Sequence, residues 1–421
     1  MSSQKRRNFL KTTLLSSLGL GLLRGGNAST LSLPPLSSEL TDWKRVRKQF
    51  PLRSNKMYLN TASLGPSPQM VIDTITDTIQ GLEVNCYTGR KDSYDTHAKL
   101  GQFLNVAPET LAVTRNATEG MNIAARSLKL NPGDEIIITD QEHVGGAAPW
   151  IALKQQLGVQ VKLVRIDLSG ENNLERIAEA IGPKTKVVAF SHVTCTTGLI
   201  LPAKEIVSFC RDKGIYTCID GAQAIGMIGI DLKEINPDFY TASGHKWLFG
   251  PKGTGVLYIN PELMEDLEPT FVGAYSDYAF DLETLEQEYR MVAHREEYGT
   301  RNTGITLGLG AAVDFVQQMG MQAIEARGRD LSQALRSQLE SIPEVEILTP
   351  SSPEYSASIL TFKVKDIPYL DVQKHLGIHQ KLYVRGIYEA NLNALRVSCA
   401  VFNQPAELDL LVEGITEIVK K

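Results

Sequence analysis

A lysine that attacks a carbonyl carbon must first give up its proton near neutral pH. The run Tyr240-Thr241-Ala242-Ser243-Gly244-His245-Lys246-Trp247 offers a lysine the setting for this. It reads as the end of a buried strand followed by small residues that let the chain turn, with Lys246 just past the strand end. Desolvation and neighbouring cations lower an amine's pKa, and a neutral amine forms imines. Ser243 and His245 flank the lysine and could bind a phosphate. The competing reading is an ordinary lysine on a surface loop.

A carboxylate stands in a comparable place. Asp220, in Ile219-Asp220-Gly221-Ala222-Gln223, ends the apolar run Ile215–Ile219. Burying it is costly unless it is paired. A protonated pyridine nitrogen would be such a partner, and holding that nitrogen charged makes the ring an electron sink. Aspartate after a strand is also a common helix cap or turn residue. The segment Thr114-Arg115-Asn116-Ala117-Thr118-Glu119-Gly120 joins a strand to a helix. Free N–H groups at such a helix start bind phosphate, and Thr118 could add a hydroxyl. Asn116 with Glu119 three residues on also reads as a capping box, which is compatible with an anion site. His143, in Gln141-Glu142-His143-Val144-Gly145-Gly146, follows another strand and could stack on an aromatic ring or serve a structural role.

The elements that must position these residues alternate. Strand-like runs at 111–114, 135–139, 160–165, 186–190, 215–219, 238–242 and 255–259 have helix-like stretches between most of them, at 119–129, 147–157, 172–181 and 202–213. This alternation predicts an α/β fold with a mostly parallel sheet covered on both faces. Ligands of such sheets bind on the loops at the carboxyl ends of the strands. A long helical stretch is expected over 304–340. Strand-like 358–364, a helix near 369–376, strand-like 394–400 and a closing helix from Pro405 follow. The reading divides the chain into an arm (29–67), a large domain (68–305), and a connecting helix with a small C-terminal α+β domain (306–421). Residues 29–56, with Pro34-Pro35, read as a polar, irregular linker.

The first residues differ from the rest. Lys5-Arg6-Arg7-Asn8-Phe9-Leu10-Lys11 precedes an apolar stretch, Thr12 to Leu23, that is too short to span a bilayer. Gly26-Asn27-Ala28 offers a cleavage site. Residues 1–28 resemble a twin-arginine signal, which predicts a periplasmic enzyme exported after folding. The rest has no apolar run long enough for a membrane helix. With 421 residues, 43% of them hydrophobic, the chain can build more than one domain. A net charge of −5 excludes the basic face of a nucleic-acid protein. Five cysteines without a CxxC pair exclude a zinc site or a disulfide framework. No GxGxxG follows the first strands, which excludes a nicotinamide Rossmann enzyme.

Taken together, the runs Asp220-Gly221-Ala222-Gln223, Ser243-Gly244-His245-Lys246 and Gly299-Thr300-Arg301-Asn302 resemble class V aminotransferases, and the resemblance extends from Tyr58-Leu59-Asn60 to the C-terminus. That family comprises fold-type I enzymes of pyridoxal 5′-phosphate (PLP), including cysteine desulfurases and isopenicillin N epimerase-like enzymes. The resemblance implies that Lys246 forms the Schiff base with PLP, Asp220 pairs with the ring nitrogen, Gln223 bonds the ring hydroxyl and His143 stacks on the ring. It assigns the phosphate to Ala117, Thr118, Ser243 and His245. Thr300 would reach the phosphate of a neighbouring subunit, which implies a homodimer with a shared active site. Arg396 would clamp the substrate carboxylate, with Asn60 also facing the substrate. A planar guanidinium suits that bidentate task.

Two departures bear on the reaction. Desulfurases of the family carry asparagine where this chain has Cys195, and a cysteine a few residues after an arginine matching Arg385. Here Gly386-Ile387-Tyr388-Glu389-Ala390 holds none. The Gly-Thr-Arg form of 299–301 looks more like the epimerase-like branch. Alternation along a strand puts Cys399 on the face opposite Arg396, in an apolar layer. The expected activity is amino transfer or epimerisation at the α-amino group of an amino acid or peptide. C–S elimination is the alternative, and a non-catalytic PLP-binding protein is disfavoured by the intact Lys246, Asp220 and Arg396.

Overall fold

The parallel strands read as near-continuous apolar runs because helices cover both of their faces. In the computed structural model, which describes residues 42–421, seven strands form one sheet. Their order is Leu111–Thr114, Gly255–Ile259, Phe239–Ser243, Tyr216–Asp220, Thr185–Ser191, Glu135–Thr139 and Gln160–Val164. Gly255–Ile259 runs antiparallel to both neighbours, and the other pairings are parallel. Phe239–Ser243 is buried throughout, whereas the edge strand Gln160–Val164 is largely exposed. Trp150, Ile136, Val187, Phe239 and Leu257 belong to the core around this sheet. All seven strands fall where the sequence predicts them, to within a residue or so.

A second, antiparallel sheet orders Val345–Ile347, Ile359–Val364, Ala394–Ser398 and Arg385–Ile387. Val397 and Cys399 face a core with Leu360, Phe362 and Leu411. Arg396 and Ser398 point the other way, as alternation requires.

Three expectations change. The helical stretch 304–340 is two helices, Thr303–Met319 and Met321–Leu339, broken at Gly320, whose φ of 81° no helix continues through. The presumed linker is structured over its described part. Asp42 caps a helix Trp43–Lys48, and Phe50 lies 4.9–5.6 Å from the rings of Phe249, Phe315 and Phe402. Its polar residues hid two apolar anchors, Val46 and Phe50. An unpredicted hairpin, Asp277–Asp281 with Glu286–Tyr289, is mostly exposed and so lacks the one-sided apolar pattern by which strands are recognised. The signal-like segment 1–28, and the arm as far as residue 41, lie outside the described residues.

Candidate active site

The carboxyl ends of the parallel strands open onto a cavity of about 440 Å³. The strand Phe239–Ser243 delivers Lys246 to it through a tight turn, in which Gly244 N–H donates to Thr254 O at 2.9 Å and Gly250 N–H to Gly244 O at 2.8 Å. The arm braces this turn from outside. Gly65 N–H donates to His245 O at 2.8 Å, and a Cβ on Gly65 would stand 1.9 Å from Lys246 O, so only glycine fits. Burial lowers the pKa of the Lys246 amine, and Asp220 pulls it the other way.

Asp220 ends its strand as a buried carboxylate whose Oδ1 accepts the Ala222 N–H at 2.9 Å. Gln223 is fixed at both ends of its amide. Nε2 donates to Ala62 O at 2.9 Å, and Oε1 accepts from Trp247 Nε1 at 2.8 Å. One N–H remains for a ligand.

Asn116 caps the helix Ala117–Ser127 by accepting the Glu119 N–H at 2.9 Å, which leaves the first N–H groups of that helix, at Ala117 and Thr118, on the cavity wall. The expected capping box is only half formed. Glu119 turns to Arg115, accepting from its Nε at 3.0 Å, rather than to the Asn116 N–H. Ser243 lines the same wall. His245 bonds Thr254 O through Nδ1 at 3.1 Å, so the neutral ring leaves Nε2 an acceptor. It can therefore meet a phosphate oxygen as a donor only as the imidazolium, although burial lowers its pKa. His143 heads the helix Val144–Leu157, and its Nδ1 accepts the Gly145 N–H at 3.0 Å. The proton of the neutral ring is thus on Nε2. Burial, then Lys246, holds its pKa down, so a neutral flat ring borders the cavity.

Arg396 is fully buried. Nη1 donates to Cys195 O at 2.6 Å, and Nη2 to Ser63 Oγ at 2.7 Å and Asn60 Oδ1 at 3.4 Å. Its Nε has no partner, and no carboxylate pairs with it among the described residues. Desolvation brings its pKa down to about 10, so it stays charged at neutral pH. Asn60 is thereby brought to Arg396.

Thr300 does not enter this cavity. It lines a separate crevice with Thr88, Arg90 and Tyr275. Sequence reasoning passed over Ala62, Ser63, Ser191 and Val193, all cavity residues. The arm motif Tyr58-Leu59-Asn60 adjoins the first two, whereas Ser191 and Val193 carry no sequence signal of their own. Arg385, also on the wall, pairs with Glu389. Cys195 is buried at the cavity, and burial raises its thiol pKa.

The residues fit a flat, phosphate-bearing pyridine. Asp220 is oriented by one backbone N–H, a helix start waits for an anion, and an amine stands in the same cavity. On this sheet they define a fold-type I PLP-dependent enzyme. Residues 57–411 match the family model for aminotransferase class-V, and the chain belongs to that family. It is 28% identical to a probable cysteine desulfurase of Methanothermobacter thermautotrophicus, over 89% of this chain and 97% of that one. It is 31% identical to isopenicillin N epimerase of Streptomyces clavuligerus, over 89% and 98%. Among solved structures it resembles a C-DES variant with glycine covalently linked to its PLP cofactor, with a TM-score of 0.82 and 28% identity over 88% of this chain and 99% of that one. The chain is a PLP-dependent enzyme with homologues that include cysteine desulfurases.

Proposed function

We propose that the enzyme carries PLP on Lys246 and transforms an amino acid or amino-acid-containing peptide at its α-carbon, as an aminotransferase or epimerase of the epimerase-like branch. The observation that carries this reading is Arg396. A buried guanidinium without a carboxylate partner calls for an anion. Arg396 does not itself line the cavity, but two of its hydrogen-bond partners, Cys195 and Ser63, line it together with Lys246 and Asp220. A substrate α-carboxylate supplies that anion and would place the α-amino group toward Lys246.

When bound, PLP supplies the electron sink that stabilises negative charge at the substrate α-carbon. The chain's own residues do the rest. Asp220 holds the proton on the ring nitrogen, and His143 covers the ring face and excludes water. Ala117, Thr118 and Ser243 hold the phosphate, joined by His245 in its charged form. Lys246, its pKa lowered by burial, takes up and returns the α-carbon proton. Amino transfer and epimerisation differ in where that proton returns.

A second reading, C–S elimination, draws on the likeness to desulfurases. A desulfurase needs a reactive thiolate on a mobile loop, and residues 386–393 offer none, so this reading is confined to elimination that bound PLP drives without a protein thiol. Thr300 would complete the phosphate site of a second copy, making the working unit a homodimer. Residues 1–28 would direct export to the periplasm. The test is incubation of the purified holoenzyme with a panel of amino acids and aminoacyl peptides. We expect ketone or inverted-stereocentre products. Sulfide and pyruvate from cysteine would favour elimination, and a protein that takes up no PLP would end the proposal.

A further inference from the structure

Beside Asp220 the molecule encloses a second carboxyl. Glu142 stands just after the strand Glu135–Thr139 and just before His143. Its Oε1 accepts the Thr139 hydroxyl at 2.6 Å and the Ser191 N–H at 3.0 Å, and its Oε2 accepts the Ser191 hydroxyl at 2.6 Å. The N–H can only donate, and both hydroxyls are able to, a set that favours the charged carboxylate. Ser191 is also the residue opposite Asp220 in the sheet. A Cβ on Gly146 would stand 3.1 Å from Asp220 Oδ2 and 3.4 Å from Glu142 Oε2. The two carboxyl groups therefore flank one bare glycine, with no side chain between them at that point.

Enclosing two carboxylates side by side is expensive. Burial, with Asp220 adding to it, pushes Glu142 up to about 7 against its three hydrogen bonds. Such an arrangement is relieved either by a proton on Glu142 or by a cation that joins the pair and lets both carboxyls stay charged. Neither carboxyl is in an ion pair with a side chain among the described residues. Asp220 reaches the cavity and Glu142 does not line it, so the cation must approach from the Asp220 side. On the PLP reading, on which this inference rests, that cation is the protonated ring nitrogen.

We propose that Glu142 is a positioning residue that acts through Asp220: its negative charge, held by Thr139 and Ser191, helps keep the ring nitrogen of bound PLP protonated. The competing role is a bracket that ties the ends of two strands together and has no electrostatic reach.

The experiment reconstitutes the full-length enzyme with PLP carrying ¹⁵N in the ring and records the ¹⁵N resonance, which reports the ring proton directly. Wild type is expected to show a protonated nitrogen. Glu142→Gln, nearly isosteric but uncharged, is expected to move the resonance toward the unprotonated position. It should also weaken PLP retention by roughly tenfold, the equivalent of one pKa unit. Ser191→Ala keeps Glu142 but removes one donor that favours its charge, so it should move the resonance the same way by less. A Glu142→Gln enzyme that melts earlier yet keeps the wild-type resonance and PLP affinity would establish the bracket and overturn the proposal. If that variant does not fold, an unmoved resonance in Ser191→Ala overturns it. A wild-type protein that takes up no PLP would instead overturn the reading beneath.

Discussion

At the scale of single residues, charge without a partner is the most informative feature. Arg396 donates to Cys195 O, Ser63 and Asn60, all neutral groups, and keeps Nε bare in a fully buried position. Arg396→Ala is expected to leave PLP uptake and colour intact and to raise KM. Losing a buried charge-assisted contact costs on the order of 2–4 kcal/mol, or roughly 30- to 1000-fold in kcat/KM. Steady-state kinetics check this, and an unchanged KM would move the carboxylate to Arg385. The cysteines lead to a second expectation. Burial raises the thiol pKa of Cys195 and pushes that of Cys399 up to about 12. Both are protonated at neutral pH, so neither is a ready sulfur nucleophile. Mass spectrometry after incubation with cysteine should find no protein-bound persulfide. A persulfide on either residue, with activity lost on mutating it, would restore a desulfurase assignment.

At the scale of elements, the arm belongs to the site. Met57–Tyr58 pairs in parallel with Leu382–Tyr383, Asn60 bridges to Ser398, and Ser67 donates to Gly250 O at 3.0 Å. One short segment thus touches both the small sheet and the lysine turn. Phe50 anchors its start against Phe249, which lies three residues beyond Lys246. Phe50→Ala empties a buried aromatic position, at a cost of about 3–5 kcal/mol. Chemical denaturation should show a lower midpoint. Because the lost packing lies next to the turn, PLP should also dissociate faster from the variant. A stability loss without any change in PLP release would show that the aromatic cluster is independent of the lysine turn.

At the scale of the whole molecule, the proposals concern assembly and place. Thr300 lies outside its own chain's cavity, which suits a residue that serves a second copy. Export by the twin-arginine route would deliver the enzyme with PLP already inserted. Replacing Arg6 and Arg7 by lysine should leave the protein, cofactor included, in the cytoplasm. Cell fractionation with an absorbance spectrum of each fraction checks this, and continued periplasmic delivery would point to another route.

The sequence by itself determined the sheet. Helix and strand periods alternate along one chain, and the buried strands of such a sheet are apolar along most of their length, so all seven strands, including the exposed edge strand Gln160–Val164 between two helical stretches, were legible from local pattern. It also determined the chemistry-bearing runs around Lys246, Asp220, His143 and Thr118, because these follow strand ends, where a doubly covered sheet exposes its loops. What only the tertiary structure decided lies in contacts between residues far apart in the chain. That Arg396 meets Ser63 and Cys195, that Gly65 must be glycine because Lys246 O fills the space, and that Glu142 stands beside Asp220 across Gly146 depend on distances between separate elements. No local period encodes those distances. The missed helix Trp43–Lys48 and hairpin 277–289 fail for a related reason. Neither presents a long one-sided apolar face, and the arm is held by a few anchors whose partners lie some 200 residues or more away.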